Sequence, residues 1–413
     1  MGEASLSRQF SLRETFTSLK YPNYRLWFIG QLVSLVGTWT QSAAQGYLIY
    51  QLTKSPAYLG YVSFANGLPT WIFTLYAGAI ADRVSRRTLM VITQSAMMVL
   101  AFVLAVLTFT NLVQWWHILI LSFLLGVCNA FDAPARQAFV LEMVDRKDLT
   151  NAIALNSTMF NMAVVLGPAF GGLIYAWVGP GWCFTINAIS FLAVIISLLL
   201  MKLKPFVPVK TDRSTLTDVK EGLKYVVNHP SARMLITNLS IITVFGLGIA
   251  ALIPAWAVEV LGGGAATNGF LMAARGLGSL IGALLIASLG RIRFHGKIWT
   301  INSLILPITM ILFALFHQLV PSLLAMAGMG FTFMMIVNLS NAMVQTRITD
   351  EMRGRVMGVY TLFFFGAMPI GALISGWTAD IIGEPLTVII CATILLAFAL
   401  LALWRQPALR AME

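Results

Sequence analysis

Charge is what this chain is short of. Only 10% of its 413 residues are Asp, Glu, Lys or Arg, where soluble domains carry about 25%. With 58% hydrophobic residues and a mean hydropathy of +0.83, so little charge suits a bilayer and not water. Cysteine is scarce too. Cys128, Cys183 and Cys391 all lie in apolar runs and read as small packing residues, which excludes a disulfide framework. His117, His229, His295 and His317 show no metal-ligand spacing, so no metal is expected. There is no His-Glu-x-x-His, no Cys–His arrangement, no pair of intramembrane aspartates and no phosphate-binding Gly-x-x-x-x-Gly-Lys-Ser/Thr loop. Neither an enzyme nor a nucleotide hydrolase is expected, and no cofactor. The filter segment or charge ring of a channel is also missing. Acidic residues are few, 16 against 27 basic ones, for a net charge of +11. In a soluble chain that would suggest nucleic acid as a partner. Here the basic residues crowd into short gaps between apolar runs, a mark of membrane topology, and no nucleic acid is expected.

Twelve apolar runs are present: 25–50, 56–81, 88–110, 116–142, 151–178, 182–203, 232–260, 267–290, 297–316, 320–344, 355–380 and 385–404. Each is long enough for the roughly 20 helical residues that cross a bilayer core. The fold class expected is an all-α membrane protein, with twelve transmembrane helices in two pseudo-symmetric six-helix bundles. Residues 1–24 are polar with scattered Phe10, Leu12, Phe16 and Leu19, and read as a cytoplasmic amphipathic segment with no cleavable signal peptide visible. If that segment is cytoplasmic, every Lys and Arg except Lys54 and Arg275 falls on the cytoplasmic side. This asymmetry predicts an even number of spans and both termini inside. The bundles are expected at 25–203 and 232–404, followed by a cytoplasmic tail, 405–413. The linker, 204–231, opens on Pro205 and Pro208. In it Thr215 followed by Asp218 suggests a helix start, and Leu216, Val219, Leu223 and Val226 share one face. The two halves also resemble each other. Gly60 and Gly67 of the second run recur as Gly269 and Gly276 of the eighth at one shared offset, and Pro168 of the fifth recurs as Pro369 of the eleventh. Repeated halves suggest alternating access.

One short loop stands out: Gly78-Ala-Ile-Ala-Asp82-Arg83-Val-Ser-Arg86-Arg87, between two apolar runs. Gly78 permits close helix approach. Asp82 suits the free N–H groups at the start of a neighbouring helix. Arg83, Arg86 and Arg87 suit carboxylates or lipid head groups. Such a loop can latch two helices together.

Gly78-x-x-x-Asp82-Arg83-x-x-Arg86-Arg87 resembles the signature after helix 2 of the major facilitator superfamily. Gly167-Pro168-x-x-Gly171-Gly172 resembles the helix-packing motif of its exporters and antiporters. Within that superfamily the chain is similar to the branch of the enterobactin exporter and macrolide efflux proteins. The stretches that carry this are Tyr24-Arg25-Leu26-Trp27 through Gly37-Thr38-Trp39, Pro134-Ala135-Arg136-Gln137 through Asn151-Ala152, and Arg353-Gly354-Arg355-Val356-Met357. The resemblance implies a monomer in the bacterial cytoplasmic membrane that exports a small molecule by rocking of its halves, coupled to protons. It implies that Asp82 faces the start of helix 11 near Gly354. It also implies that Arg86 or Arg87 meets a carboxylate on the fourth span, for which Asp132 is the candidate. The arginine that drug–proton antiporters often carry in that span is missing from Leu121-Ser-Phe-Leu-Leu-Gly126. A lysolipid or lipid flippase and a non-transporting sensor are the alternatives on the same fold.

The remaining candidates are polar residues within spans. Asp132 stands four residues before Arg136, so an ion pair along one helix accounts for it, with a proton carrier as the other reading. Glu259, near the outer end of its span, marks the water interface or titrates during transport, and Glu142 reads as surface. Arg275 either pairs with Glu259 or Asp380 or meets an anionic group of the cargo. Ser34, Thr38, Gln41 and Gln45 fall on one helical face, and that stripe either lines a substrate cavity with Asn161, Arg275, Asn338 and Asn341 or hydrogen-bonds between helices. With Trp39, Met159, Phe160 and Met368 it would suit a bulky amphipathic compound. Gly167, Pro168, Gly171 and Gly172 are explained by close packing of helices.

Overall fold

The structure, a computed structural model, describes residues 16–203, 215–288 and 294–405. Within these the side chains of 74, 75, 77–79, 81–83, 215 and 216 are not described. Regular structure among the described residues is entirely helical. In the first half α1 is Pro22–Thr53, α2 Pro56–Arg83, α3 Arg86–Phe109, α4 Trp115–Met143, α5 Leu149–Val178 and α6 Pro180–Leu200. A surface helix, α7 (Thr215–Asn228), follows. The second half holds α8 (Pro230–Ile242), α9 (Ile253–Glu259), α10 (Ala265–Ser288), α11 (His295–Leu315), α12 (Leu319–Arg347), α13 (Asp350–Ile382) and α14 (Glu384–Arg405). By length and apolarity 10 segments among the described residues can cross a membrane, with α8 through α9 counted as one of them. The helices α1 and α2, of 32 and 28 residues, lie packed among these.

Local chemistry explains the boundaries. Proline opens α1, α2, α6 and α8, where its fixed φ is already helical and its missing N–H is not needed. Gly179 and Gly383, at φ +90° and +85°, turn the chain sharply between α5 and α6 and between α13 and α14. Ser85 caps α3 by accepting from the Thr88 backbone N–H at 3.2 Å. The apolar side chains outside the core, such as Trp177 at 78% exposure, form the face expected to meet lipid.

The run expected as one helix over 232–260 is not one. A π turn, Thr243–Leu247, and a 3₁₀ turn, Gly248–Leu252, separate α8 from α9. Pro254 cannot donate a backbone hydrogen bond near the start of α9. Gly248 and Gly371 bring the irregular backbone against α13, with no room for a Cβ on either. The linker helix is present where its start signal stands. It docks on the basic end of α13 and also touches α2. At its centre Gly222 faces the Arg355 carbonyl, where a Cβ would stand 2.6 Å away.

Each half has its own core. One cluster, around Trp27, Phe139 and Leu198, lies within the first half; another, around Trp299, Ile336 and Leu395, lies within the second. The halves meet along two seams. In one, α2 runs against α13: Gly67 abuts Pro369, and Gly376 lies so near Pro56 that a Cβ would stand 2.7 Å from its carbonyl. In the other, α5 runs against α10: Gly269 abuts Pro168, and a Cβ on Gly276 would stand 2.9 Å from the Val164 carbonyl. The glycines matched between the halves, Gly60 and Gly67 in α2 and Gly269 and Gly276 in α10, all face the opposite half, and Pro369 and Pro168 lie in the same two seams. Inserting bulk into a packed interior costs about 1–3 kcal/mol. Gly67→Val is therefore expected to lower the melting temperature of the detergent-purified protein. Gly358→Ala, where a Cβ meets nothing within 4 Å among the described residues, is expected to leave it unchanged or raise it slightly.

Candidate functional site

Two ends of the molecule differ in chemistry. The basic end holds the start of α1 and the finish of α14; the far end holds the α1–α2 turn and the α13–α14 turn. At the far end the halves are joined by side chains. The Tyr50 hydroxyl of α1 donates to Glu259 of α9 at 2.7 Å, and the Ser55 hydroxyl donates to Asp380 of α13 at 2.5 Å. Asn268 of α10 donates to the Ala43 carbonyl of α1 at 3.2 Å. Ile49 and Tyr50 share one buried cluster with Ala255 and Ala265, so apolar packing closes the same end. Glu384, 7% exposed at the first residue of α14, adds a buried carboxyl near this closure.

Each ion pair described at the basic end stays within one half or ties it to the linker helix. Lys20 meets Asp148 at 2.6 Å, Arg86 meets Glu142 at 2.6 Å, and Arg353 meets Asp350 at 2.5 Å. The Tyr21 hydroxyl donates to Asp148 and Asp145 at 2.7 and 2.8 Å, and the two carboxylates, Asp148 foremost, push its pKa up. Arg355 forks to Asp218 and Glu221 of α7 at 2.9 and 2.7 Å. These two acids stand i and i+3 on one helix, a spacing that could have flagged a basic partner. Gly354 and Gly358 have open space around them among the described residues.

The predicted latch divides. The backbone at Gly78, Asp82 and Arg83 is helical, as the final turn of α2, but their side chains lie outside those described, so the facing of Asp82 to Gly354 does too. Arg86 does meet a carboxylate on the fourth span, but the partner is Glu142 and not Asp132. Glu142 is thus an ion-pair partner rather than free surface. Arg87 donates to the Leu199 carbonyl at 2.8 Å. Asp132 is buried at 2% exposure, accepts from Thr93 and Gln94 of α3 at 2.9 and 3.0 Å, and faces Arg136 at 3.8 Å.

The polar stripe of α1 is buried in the first half, and this corrects the cavity reading for Ser34, Gln41 and Gln45. Asn187 of α6 donates to Gln41 at 2.7 Å, Gln41 donates to Gln45 at 3.4 Å, and Gln45 donates to Ser122 of α4 at 2.7 Å. Thr38 turns back to the Ser34 carbonyl at 2.9 Å. The chain of amides ties three helices together, as a bilayer favours for polar groups without water. Asn187 and Ser122 were invisible as partners because pairing between helices has no sequence period. Asn161, Asn338 and Asn341 remain only partly buried. Asn161 donates to the Ser157 carbonyl at 2.8 Å, and Gln345 donates to Asn341 at 2.5 Å. Gly167 and Gly171 seat α5 on Trp39 and Thr40 of α1, while Gly172 faces Gly269 across the seam. Arg275, on α10, has no carboxylate partner among the described residues; Glu259 and Asp380 are engaged by Tyr50 and Ser55 instead.

Residues 13–413 match the family model described as transmembrane secretion effector, of the major facilitator type. The chain belongs to that family. It is 23% identical to the staphyloferrin A transporter of Staphylococcus aureus, over 87% of this chain and 90% of that protein. It is 27% identical to the multidrug efflux pump Tap of Mycolicibacterium fortuitum, over 89% and 91%. It is 23% identical to macrolide efflux protein A of Streptococcus pyogenes, over 94% and 96%. Among solved structures, a POT family transporter superposes with a TM-score of 0.75 at 11% identity, over 94% of this chain and 96% of that one. The nucleoside transporter NupG superposes with a TM-score of 0.73 at 14% identity, over 93% and 99%. At such identities the superposition speaks for the fold alone, and it is the major facilitator fold.

Breaking a buried pair by removing one partner costs about 3–5 kcal/mol, whereas a solvent-facing pair contributes about 1 kcal/mol or less. Asp132→Ala is therefore expected to destabilise the purified family member sharply and Arg86→Ala only slightly. Melting of the two variants in one detergent checks the order; equal losses would contradict the assignment of Asp132 to a buried structural network.

Proposed function

We propose that this member of the family is a twelve-span exporter of a bulky amphipathic small molecule, with its basic end in the cytoplasm. The observation that carries this is the asymmetry of the contacts between halves. Hydrogen bonds and apolar packing join them at the far end, while each described ion pair at the basic end stays on its own side. Two smooth glycine–proline seams between those ends give the halves an axis to tilt about. The drug, macrolide and siderophore relatives support a cargo with apolar bulk and polar groups. In the cycle, cargo enters from the basic end, the latch at Gly78–Arg87 closes against the start of α13, and the Tyr50–Glu259 and Ser55–Asp380 contacts release. Of the two carboxylates considered for protons, Glu259 is the better placed. It faces the opposite half through one hydrogen bond, whereas Asp132 is held by three partners inside a single half. Protonating Glu259 removes the charge from its bond with Tyr50 and weakens the closure.

Export is tested in proteoliposomes loaded with macrolides, dyes or siderophores, with and without an imposed pH difference. Accumulation against a gradient is expected, steeper with the pH difference, and Glu259→Gln is expected to remove the pH-driven part while leaving downhill flux. The absence of any flux would contradict export and favour a sensor. Asp82→Asn is expected to lower flux at unchanged expression; full flux in that variant would remove the latch from the cycle.

A further inference from the structure

The second half contains a feature that neither the seams nor the far-end closure uses. Inside the bundle, the irregular stretch between α8 and α9 packs against α10, α11 and α12 around a small cavity of about 20 Å³. Its wall is apolar, with Leu306, Phe313, Met326, Met329 and Phe333. Two donors line the same space. Trp256, 1% exposed and stacked on Phe313 at 4.3 Å, has its indole N–H buried without a hydrogen-bond partner among the described residues. Arg275 has its Nε–H buried and equally without one among the described residues. Buried donors left unpaired are rare and costly, and a donor on a charged group costs more than one on a neutral group.

The placement of Arg275 is firmly set. Ser279 donates to the Arg275 and Gly330 carbonyls at 3.1 and 3.2 Å, and Gly330 brings α12 against that backbone with no space for a Cβ. The cavity is lined by the second half, and α10 reaches the first half one residue on, where Gly276 faces Val164. Arg275 is also only partly buried, which leaves a route to it. Irregular helical backbone at membrane depth is tolerated where it lines a cavity, and π turns recur at functional sites. A cavity of this volume admits one acceptor group and not a whole cargo molecule.

We infer that this cavity is an anion subsite which takes the carboxylate of an amphipathic cargo, with Arg275 as the counter-charge and Trp256 as the second donor. The bulk of the cargo lies outside, toward the boundary between halves. The inference rests on the exporter reading and narrows its cargo to carboxylate-bearing amphiphiles.

The test uses a xanthene dye with a free carboxylate and the ethyl ester of the same dye. Binding to the purified full-length protein is read by fluorescence anisotropy, at low and at high sodium chloride in an otherwise identical carboxylate-free buffer. A charge-assisted hydrogen bond in an apolar site discriminates by about tenfold or more, so the wild type should prefer the free acid by that factor. Arg275→Gln should abolish the preference, Arg275→Lys should keep part of it, and Trp256→Phe should reduce it. Arg275→Lys and Trp256→Phe keep the test open if Arg275→Gln fails to fold, which size-exclusion chromatography would reveal. Equal binding of acid and ester by the wild type overturns the subsite. So does an Arg275-dependent response to chloride alone, which would make the cavity a small-ion site. Flux in proteoliposomes separates the two ideas: export of acid and ester alike sinks the subsite and leaves the exporter, whereas Arg275-dependent binding with no flux does the reverse.

Discussion

Close approach of backbones across the two seams is the constraint on which the rest of this molecule depends. In lipid there is no hydrophobic force pressing helices together, so packing has to do that work, and small residues let it. Gly67 against Pro369 and Gly269 against Pro168 place a smooth methylene ring or a bare carbonyl opposite a residue with no side chain. Such contacts hold two helices at short distance without interlocking them. Interdigitated Leu or Phe side chains would give as much contact but would resist tilting. The seams are thus suited to motion, and the cores on either side, built around large aromatics such as Trp27 and Trp299, are suited to staying rigid.

Polar groups follow the same division. Several of those deep in the bundles are consumed by their own half: the amides of α1 with Asn187 and Ser122, and Asp132 with Thr93, Gln94 and Arg136. Those that bridge the halves sit at the far end, where each link is one hydrogen bond that water can replace. A transporter must not store more energy in a closure than a cargo or a proton can repay, and single hydrogen bonds contribute about 1 kcal/mol, or about 1.5–3 kcal/mol where the acceptor is a carboxylate. The fork from Arg355 to Asp218 and Glu221 extends the logic to the linker helix, which rides on α13 at the basic end.

The helical class, most of the apolar helices and the linker helix were legible in the sequence, because each rests on a local pattern: apolar length, or a capping signal with a 3.6-residue period. The break in the seventh span was partly legible, since Gly246, Gly248 and Pro254 weaken a helix there, but apolar length alone counted it as continuous. What could not be read is pairing. The stripe from Ser34 to Gln45 has the same spacing whether it faces a cavity or Asn187, and only the rotation of α1 against α6 decides. Asp132 and Glu142 are both carboxylates on the fourth span; the register of α3 against α4 selects Glu142 for Arg86. Arg275 was conspicuous in the sequence, but the orphaned indole of Trp256 beside the same cavity was not, because a tryptophan in an apolar run looks like ordinary packing.

The central claim is that the halves pivot about the seams, so that one end opens as the other closes. Pulsed electron spin resonance distances test it most directly, with one pair of spin labels at the basic end on exposed Thr88 and Arg353 and a second pair at the far end on Lys54 and Leu386. Opposite changes are expected when cargo or an acidic outer buffer is added: the basic-end distance shortens while the far-end distance lengthens. Distances that stay fixed at both ends, or that grow and shrink together, would contradict it.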